Sequence, residues 1–143
     1  MDVPAGSVKR VLQLAAERAS PSLGITPRRL MDALVARERL GSTGMGHGVA
    51  IPHARIEGVE EMSALVFRLI HPVDVAAADD KPAGLFFCVF APSTKEAEHQ
   101  RLLSRLKRML EDEFLRKRLR ETDSRKELIQ LLSYEDVPTG AIA

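Results

Sequence analysis

The chain has 143 residues, 45% of them hydrophobic and 29% charged, with a formal net charge of +1. That length suits one domain with its own core and leaves no room for a second, and no stretch approaches the roughly 18 uninterrupted apolar residues of a membrane span. The near-neutral charge excludes any strong global pull toward nucleic acid or an anionic membrane, so partner choice falls to local surfaces. The only cysteine, Cys88, excludes an internal disulfide, and inside the apolar run Leu85 to Phe90 it reads as a small core hydrophobe rather than a nucleophile. Met1 to Gly6 carries no basic stretch followed by an apolar run, so a cytoplasmic protein is expected.

In chain order, Val8, Val11, Leu12, Ala15 and Ala19 repeat at helical spacing behind an N-cap at Ser7, and Ser20-Pro21 supplies the expected stop. Thr26-Pro27 opens a second helix with Leu30, Met31, Leu34 and Val35 on one face, Arg37 in its last turns and Gly41 as its end. Four glycines then fall between Gly41 and Gly48, a loop able to adopt positive φ and approach a ligand closely. It runs into a short apolar strand expected to end on His53, where Pro52 stiffens the presentation.

Met62 to Ile70 and Leu85 to Phe90 are branched, apolar and short, as buried strands are. After Pro92, Ser93 and Glu96 have the spacing of a capping box, and Leu102, Leu103, Leu106 and Leu110 form an inward stripe that, projected backward, includes His99. A short helix from about Glu113 to Arg120 follows, and Ser124 with Glu127 opens a last one. The pattern predicts an α/β fold, one domain over residues 1–143 with a mixed sheet flanked by helices, an ordered core from about 7 to 134 and a loose tail after Tyr134.

Chemistry concentrates at the loop. A neutral imidazole at His53 offers one lone-pair nitrogen as a nucleophile, which fits a phosphoryl acceptor, although the local pattern alone equally describes a surface turn with a satisfied histidine. A nucleotide loop fits poorly, because no Lys-Ser/Thr follows the glycines and a helix, not a strand, precedes them. His99 near a helix N-terminus could bond a phosphoryl oxygen or simply sit at the core edge. Arg37 offers a planar fork for phosphate oxygens, or a solvated helix face. The four histidines, His47, His53, His71 and His99, lack zinc-site spacing, so neither metal nor cofactor is expected. Eight basic residues against three acidic ones between Arg101 and Arg120 could suit an acidic partner, but a solvated face is the simpler account and no aromatic interleaving suggests nucleic acid.

The run Arg37-Glu-Arg-Leu-Gly-Ser-Thr-Gly-Met-Gly-His-Gly-Val-Ala-Ile-Pro-His53 resembles the IIA domains of the phosphoenolpyruvate-dependent phosphotransferase system, fructose/mannitol class, and within it the nitrogen-regulatory IIA proteins. The resemblance extends through Pro72, Asp79, Pro82, Pro92 and His99. It implies His53 as the phosphorylated residue, His99 as its neighbouring imidazole and Arg37 as a holder of the phosphoryl group; the donor-rich loop, with Ser42, Thr43, Gly44, Gly46 and Gly48, is expected to bind the phosphate through its N–H groups. The implied donor is a phosphorylated histidine carrier protein (HPr-like), and the implied targets are regulatory proteins or the B domain of a sugar transporter. With no fused transporter or B domain in the sequence, the regulatory class is favoured. The chain departs from the family pattern at His47, commonly Asn, at Val75-Ala76-Ala77, and at Ala83-Gly84. The last two lie outside the core motif and bear on partner recognition, while His47 lies within it and would alter the local charge or keep a hydrogen bond.

Overall fold

The computed structural model describes residues 2–133, and the expected loose tail after Tyr134 lies outside them. The elements run β1 (Asp2–Val3), α1 (Val8–Leu23), α2 (Pro27–Arg39), β2 (Gly44–Gly46), β3 (Val49–Ala50), β4 (His53–Ile56), β5 (Ser63–Val73), β6 (Ala83–Pro92), α3 (Glu96–Leu110), α4 (Glu113–Glu121) and α5 (Arg125–Ser133). The sheet is mixed, in the order β1-β5-β6-β3-β2. β4 extends the β3 side by also pairing with β6. β5 and β6 form its antiparallel centre, while β1 pairs parallel with β5 and both β3 and β4 pair parallel with β6.

The alternation of side chains along β6 builds two cores. Phe86, Cys88 and Phe90 point to the layer formed with α1 and α2, while Leu85, Phe87 and Val89 point to the layer formed with α3, α4 and α5. Both faces of this strand are covered, which is why it reads as a continuous apolar run. Phe86, fully buried, stands opposite Phe67 of β5 and Ala50 of β3, so it supports the short strand that leads to His53. Phe86→Ala should cost about 3–5 kcal/mol, seen as a lowered urea midpoint, whereas Phe114→Ala, at a site 68% exposed, should stay within about 0.5 kcal/mol.

The expected helix starts at Ser7, Thr26 and Ser124 are present, each hydroxyl accepting a backbone N–H three residues on. Other expectations fail for local reasons. α1 does not stop at Ser20-Pro21 but runs to Leu23. Pro21 lies so near the end that it removes one hydrogen bond, on an exposed face shared with Glu17, and Gly24 in the left-handed region then closes the helix with its N–H on Ser20 O. Ser93 does not cap α3: it sits in a turn closed by Lys95 N–H on Pro92 O, and Glu96 instead pairs with Arg55 of β4 at 3.3 Å. The cap position falls to Lys95, which makes no side-chain bond to the helix.

The strand expected to end on His53 is in fact two strands. β2 and β3 form a small antiparallel hairpin through His47-Gly48, and a fresh strand, β4, begins at His53. Pro52 is the cause, since it has no N–H for the ladder; its carbonyl still accepts from Val89 N–H at 2.8 Å, keeping both segments in line along β6.

Candidate functional site

His53 opens β4, with its ring half-buried at the mouth of a cavity of about 310 Å³ lined by Arg37, Ser42, Thr43, Gly44, Met45, Ile51, Lys107 and Glu111. Two hydrogen bonds fix its chemistry. Nδ1 lies 2.7 Å from Ile51 O, a contact that requires Nδ1 to carry the proton, and Arg37 Nε–H donates to Nε2 at 3.2 Å. The ring is therefore the Nδ1–H tautomer, with its lone pair on Nε2 and that lone pair held by a cation. Burial lowers the proton affinity of His53, and the charges of Arg37 and Lys107 lower it further, against the opposing effects of the Ile51 hydrogen bond and Glu38. The imidazole thus remains neutral, and nucleophilic, below the ordinary histidine range.

Arg37 reaches the site from the last turn of α2, where Nη1–H also donates to Gly41 O at 2.9 Å. One guanidinium therefore ties the helix end, the start of the glycine loop and the imidazole together. Glu38, the next residue, accepts from Thr43 N–H at 3.2 Å and from Thr43 Oγ1 at 2.7 Å, fixing the loop from below.

His99 enters from the first turn of α3 and meets His53 edge to face, with ring centroids 5.4 Å apart at 70°. It is 2% exposed, and among the described residues neither ring nitrogen has a hydrogen-bond partner. Burial, then the proximity of His53 and Arg55, push its pKa down to about 4. An unfolded chain takes up this proton near 6.5, so between those values the unfolded state binds more protons than the folded one. Stability should accordingly fall as pH drops from 6.5 toward 4 and lose nothing further through this group below that. Urea midpoints at pH 7 and pH 5 should show a smaller drop for His99→Gln than for the native chain.

The remaining loop residues divide. Ser42, Thr43 and Gly44 line the His53 cavity, whereas Gly48 lines a different one and Gly46 packs against the Asp79 carboxylate. Two of the amides in the expected phosphate loop are already engaged, Thr43 N–H by Glu38 and Gly44 N–H by Ser42 Oγ, and beside them His47 N–H is held by Asp79 Oδ2 at 2.8 Å. The Ser42 hydroxyl itself donates to Val75 O. A side chain on Gly44 would place its Cβ 2.7 Å from Val75 Cγ2, so glycine there serves close packing against the Val75-Ala76-Ala77 segment. His47 and His71 are exposed, and Cys88 is fully buried with its thiol pKa pushed up by desolvation, as a core residue requires.

Five neighbours went unrecognised in the sequence: Glu38, Met45, Ile51, Lys107 and Glu111. Lys107 and Glu111 sit two and three turns along α3 from His99, and only an α3 drawn across the mouth of the loop would have flagged them. Lys107 makes no hydrogen bond or ion pair among the described residues, which leaves its ammonium uncommitted at the cavity.

The family model for the phosphoenolpyruvate-dependent sugar phosphotransferase system, EIIA 2, matches residues 1–135. A nitrogen regulatory protein of Pseudomonas aeruginosa is 38% identical over 141 residues, covering 98% of this chain and 90% of that one. A fructose-specific EIIA component of Haloferax volcanii is 36% identical over 103 residues, covering 72% of this chain and 67% of that one. The crystal structure of nitrogen regulatory protein IIA-Ntr from Neisseria meningitidis superposes with a TM-score of 0.90 at 34% identity, covering 93% of this chain and 91% of that one. Among the described residues no helix is long and apolar enough to cross a membrane. By sequence over nearly its whole length and by the same arrangement of curled mixed sheet and helices, the chain belongs to the EIIA 2 family of the phosphoenolpyruvate-dependent sugar phosphotransferase system.

Proposed function

We propose that this chain is a cytoplasmic phosphocarrier that accepts a phosphoryl group on Nε2 of His53 from the phosphorylated histidine carrier protein, in the nitrogen-regulatory branch of the system. The observation that carries the reading is the pair of hydrogen bonds on one imidazole, which leaves the Nε2 lone pair facing a cavity next to a guanidinium. Kinship to the nitrogen regulatory proteins supports the branch.

In the transfer, the Nε2 lone pair attacks phosphorus in line, the phosphorus–nitrogen bond of the donor breaks, and its electron pair returns to the donor imidazole. His53 keeps its Nδ1 proton, and the Ile51 carbonyl stabilises the positive charge the ring acquires. Arg37 passes its Nε–H from the lone pair to the phosphoryl oxygens as they arrive, so the cation is placed before the charge develops. His99 supplies a buried N–H that gains its missing acceptor from the same oxygens. Ser42, Thr43 and Gly44 act as the wall of the cavity, because their amides and hydroxyls are largely engaged elsewhere. The added negative charge at an accessible site then switches which proteins the surface can hold.

Lys107 adds a second cation at the cavity. Lys107→Gln should slow phosphoryl acceptance about tenfold, or about 1.4 kcal/mol, with Lys107→Arg restoring it. Because Lys107 lowers the proton affinity of His53, the same loss should move the acidic limb of the pH–rate profile to higher pH. A merely structural lysine would leave that limb in place.

The test of the whole reading is intact mass after incubation with phosphorylated histidine carrier protein. One acid-labile phosphoryl adduct per chain is expected, and no adduct with a donor active on another acceptor would overturn it. The kinship to a fructose-specific EIIA component favours a second reading, a sugar-transport component. Transfer onward to the cysteine of a fructose- or mannitol-type B domain would select that reading, while partners captured only by the unphosphorylated form would select the regulatory one.

A further inference from the structure

On the other side of the β2–β3 hairpin from the His53 cavity lies a larger cleft, about 590 Å³, lined by His47, Gly48, Lys81, Pro82 and a face of α4 that carries Glu113, Arg116, Lys117, Arg120 and Glu121. Four cationic side chains face two carboxylates there. Arg116 is 7% exposed and donates to Leu110 O at 2.7 Å, a fixed charge at the base. Lys81 and Lys117 make no side-chain hydrogen bond or ion pair among the described residues, Lys81 acting only through its charge on the nearby Asp79, so two ammonium groups stand at the rim without a bonded partner. Converging cations around a fixed guanidinium suit an anion with several charges, and the volume lies in the range of small-molecule sites.

The cleft is wired to the glycine loop. Arg120 Nη2–H donates to His47 O at 2.7 Å, while Asp79 Oδ2 holds His47 N–H at 2.8 Å from the other side. His47 itself is held at φ 57, in the left-handed region, and a Cβ on Gly48 would come within 2.6 Å of Arg120 Nη2. The same hairpin presents Gly44 and Met45 to the His53 cavity. Burial and the charge of Arg116 depress the proton affinity of Arg120, the signature of a crowded cation that gains from an anionic partner.

We propose that this cleft binds a small polyanion of the multiply phosphorylated class, held by Lys81, Lys117 and Arg120, and that its occupancy alters phosphoryl acceptance at His53 by drawing Arg120 from the His47 carbonyl. The coupling rests on the proposed acceptance at His53; the binding does not. An anion bound at Arg120 loosens one of the two clamps on His47 and so shifts the hairpin that walls the reacting cavity.

The experiment titrates inorganic pyrophosphate, ATP without magnesium, and citrate into the His53→Ala chain, following backbone amide NMR shifts. Shifts centred on His47, Lys81, Lys117 and Arg120 are expected, saturating for pyrophosphate or ATP and at least about tenfold weaker in Lys81→Gln/Lys117→Gln. Preference for citrate would replace the phosphorylated class by a polycarboxylate. Shifts centred on Arg37 and Lys107, binding unchanged in the double variant, or binding only of an acidic peptide would each overturn the site. With His53 intact, the saturating ligand should change the rate of acceptance by about fivefold or more in the native chain and not in the double variant. An unchanged rate despite binding would overturn the coupling, and the amide shifts report binding even if His53 accepts nothing.

Discussion

His53→Ala is expected to abolish phosphoryl acceptance while leaving the chain folded. No other imidazole can take its place: His99 is buried with its ring centroid 5.4 Å away, and His47 and His71 are exposed on other surfaces. What the substitution removes is the nucleophile itself, so no residual path through the same cavity remains. Its structural cost is small by comparison. The half-buried ring gives up its bond to Ile51 O, and an orphaned carbonyl costs about 1–3 kcal/mol, while Ile51 N–H keeps its partner on Thr43 O at 3.0 Å. Intact mass against the phosphorylated donor, read beside a urea melt, separates the two effects. Undiminished labelling of a folded His53→Ala chain would remove His53 from the reaction.

Arg37→Ala should slow acceptance by about 10²–10³-fold, the loss seen when one preplaced charge donor is taken from a transition state. Its guanidinium spans Nε2 of His53 at 3.2 Å and Gly41 O at 2.9 Å, so one fork both orients the nucleophile and anchors the loop. Arg37→Lys restores a charge but not two diverging N–H groups in one plane, and it should recover only part of the rate. The proton affinity of His53 should rise in Arg37→Ala, because the Arg37 charge is among the effects holding it down. Rapid-quench single-turnover rates across pH 5 to 8 would show both changes. Wild-type rates in Arg37→Ala with an unshifted profile would reduce Arg37 to a surface arginine.

The sequence carried the candidate residues further than it carried their geometry. His53, His99 and Arg37 were legible because one long motif and one helical stripe contain them, and the structure brings the three together. The helix starts were legible where a hydroxyl stood alone before an apolar stripe, as at Ser7, Thr26 and Ser124. Ser93 misled because the chain there forms a turn, closed by Lys95 N–H on Pro92 O, and Glu96 pairs with Arg55, a contact across 41 positions of sequence that no local rule contains. The β2–β3 hairpin was hidden for a similar reason: its strands are too short to alternate, and they exist because β6 offers a ladder on which Val49 and Ala50 can pair.

Buried charge was the least visible. Arg68 reads as one polar residue in an apolar strand, yet at 7% exposure it donates to Arg120 O at 2.9 Å and to Thr122 O, pinning the end of α4 to the sheet. Such a side chain is tolerated because carbonyls freed at a helix end accept its N–H groups. The same fastening places Arg120 against the glycine hairpin. A strand residue thus sets the position of a helix cation that a loop then uses, through three segments far apart in sequence.

The measurement that tests the central claim most directly is the site and nitrogen of attachment, read by long-range proton–nitrogen NMR of the chain after phosphorylation by the histidine carrier protein. The account predicts one adduct, on His53, with Nε2 bearing phosphorus and Nδ1 still protonated against Ile51 O. An adduct on Nδ1 of His53, or on His99 or His47, would contradict it.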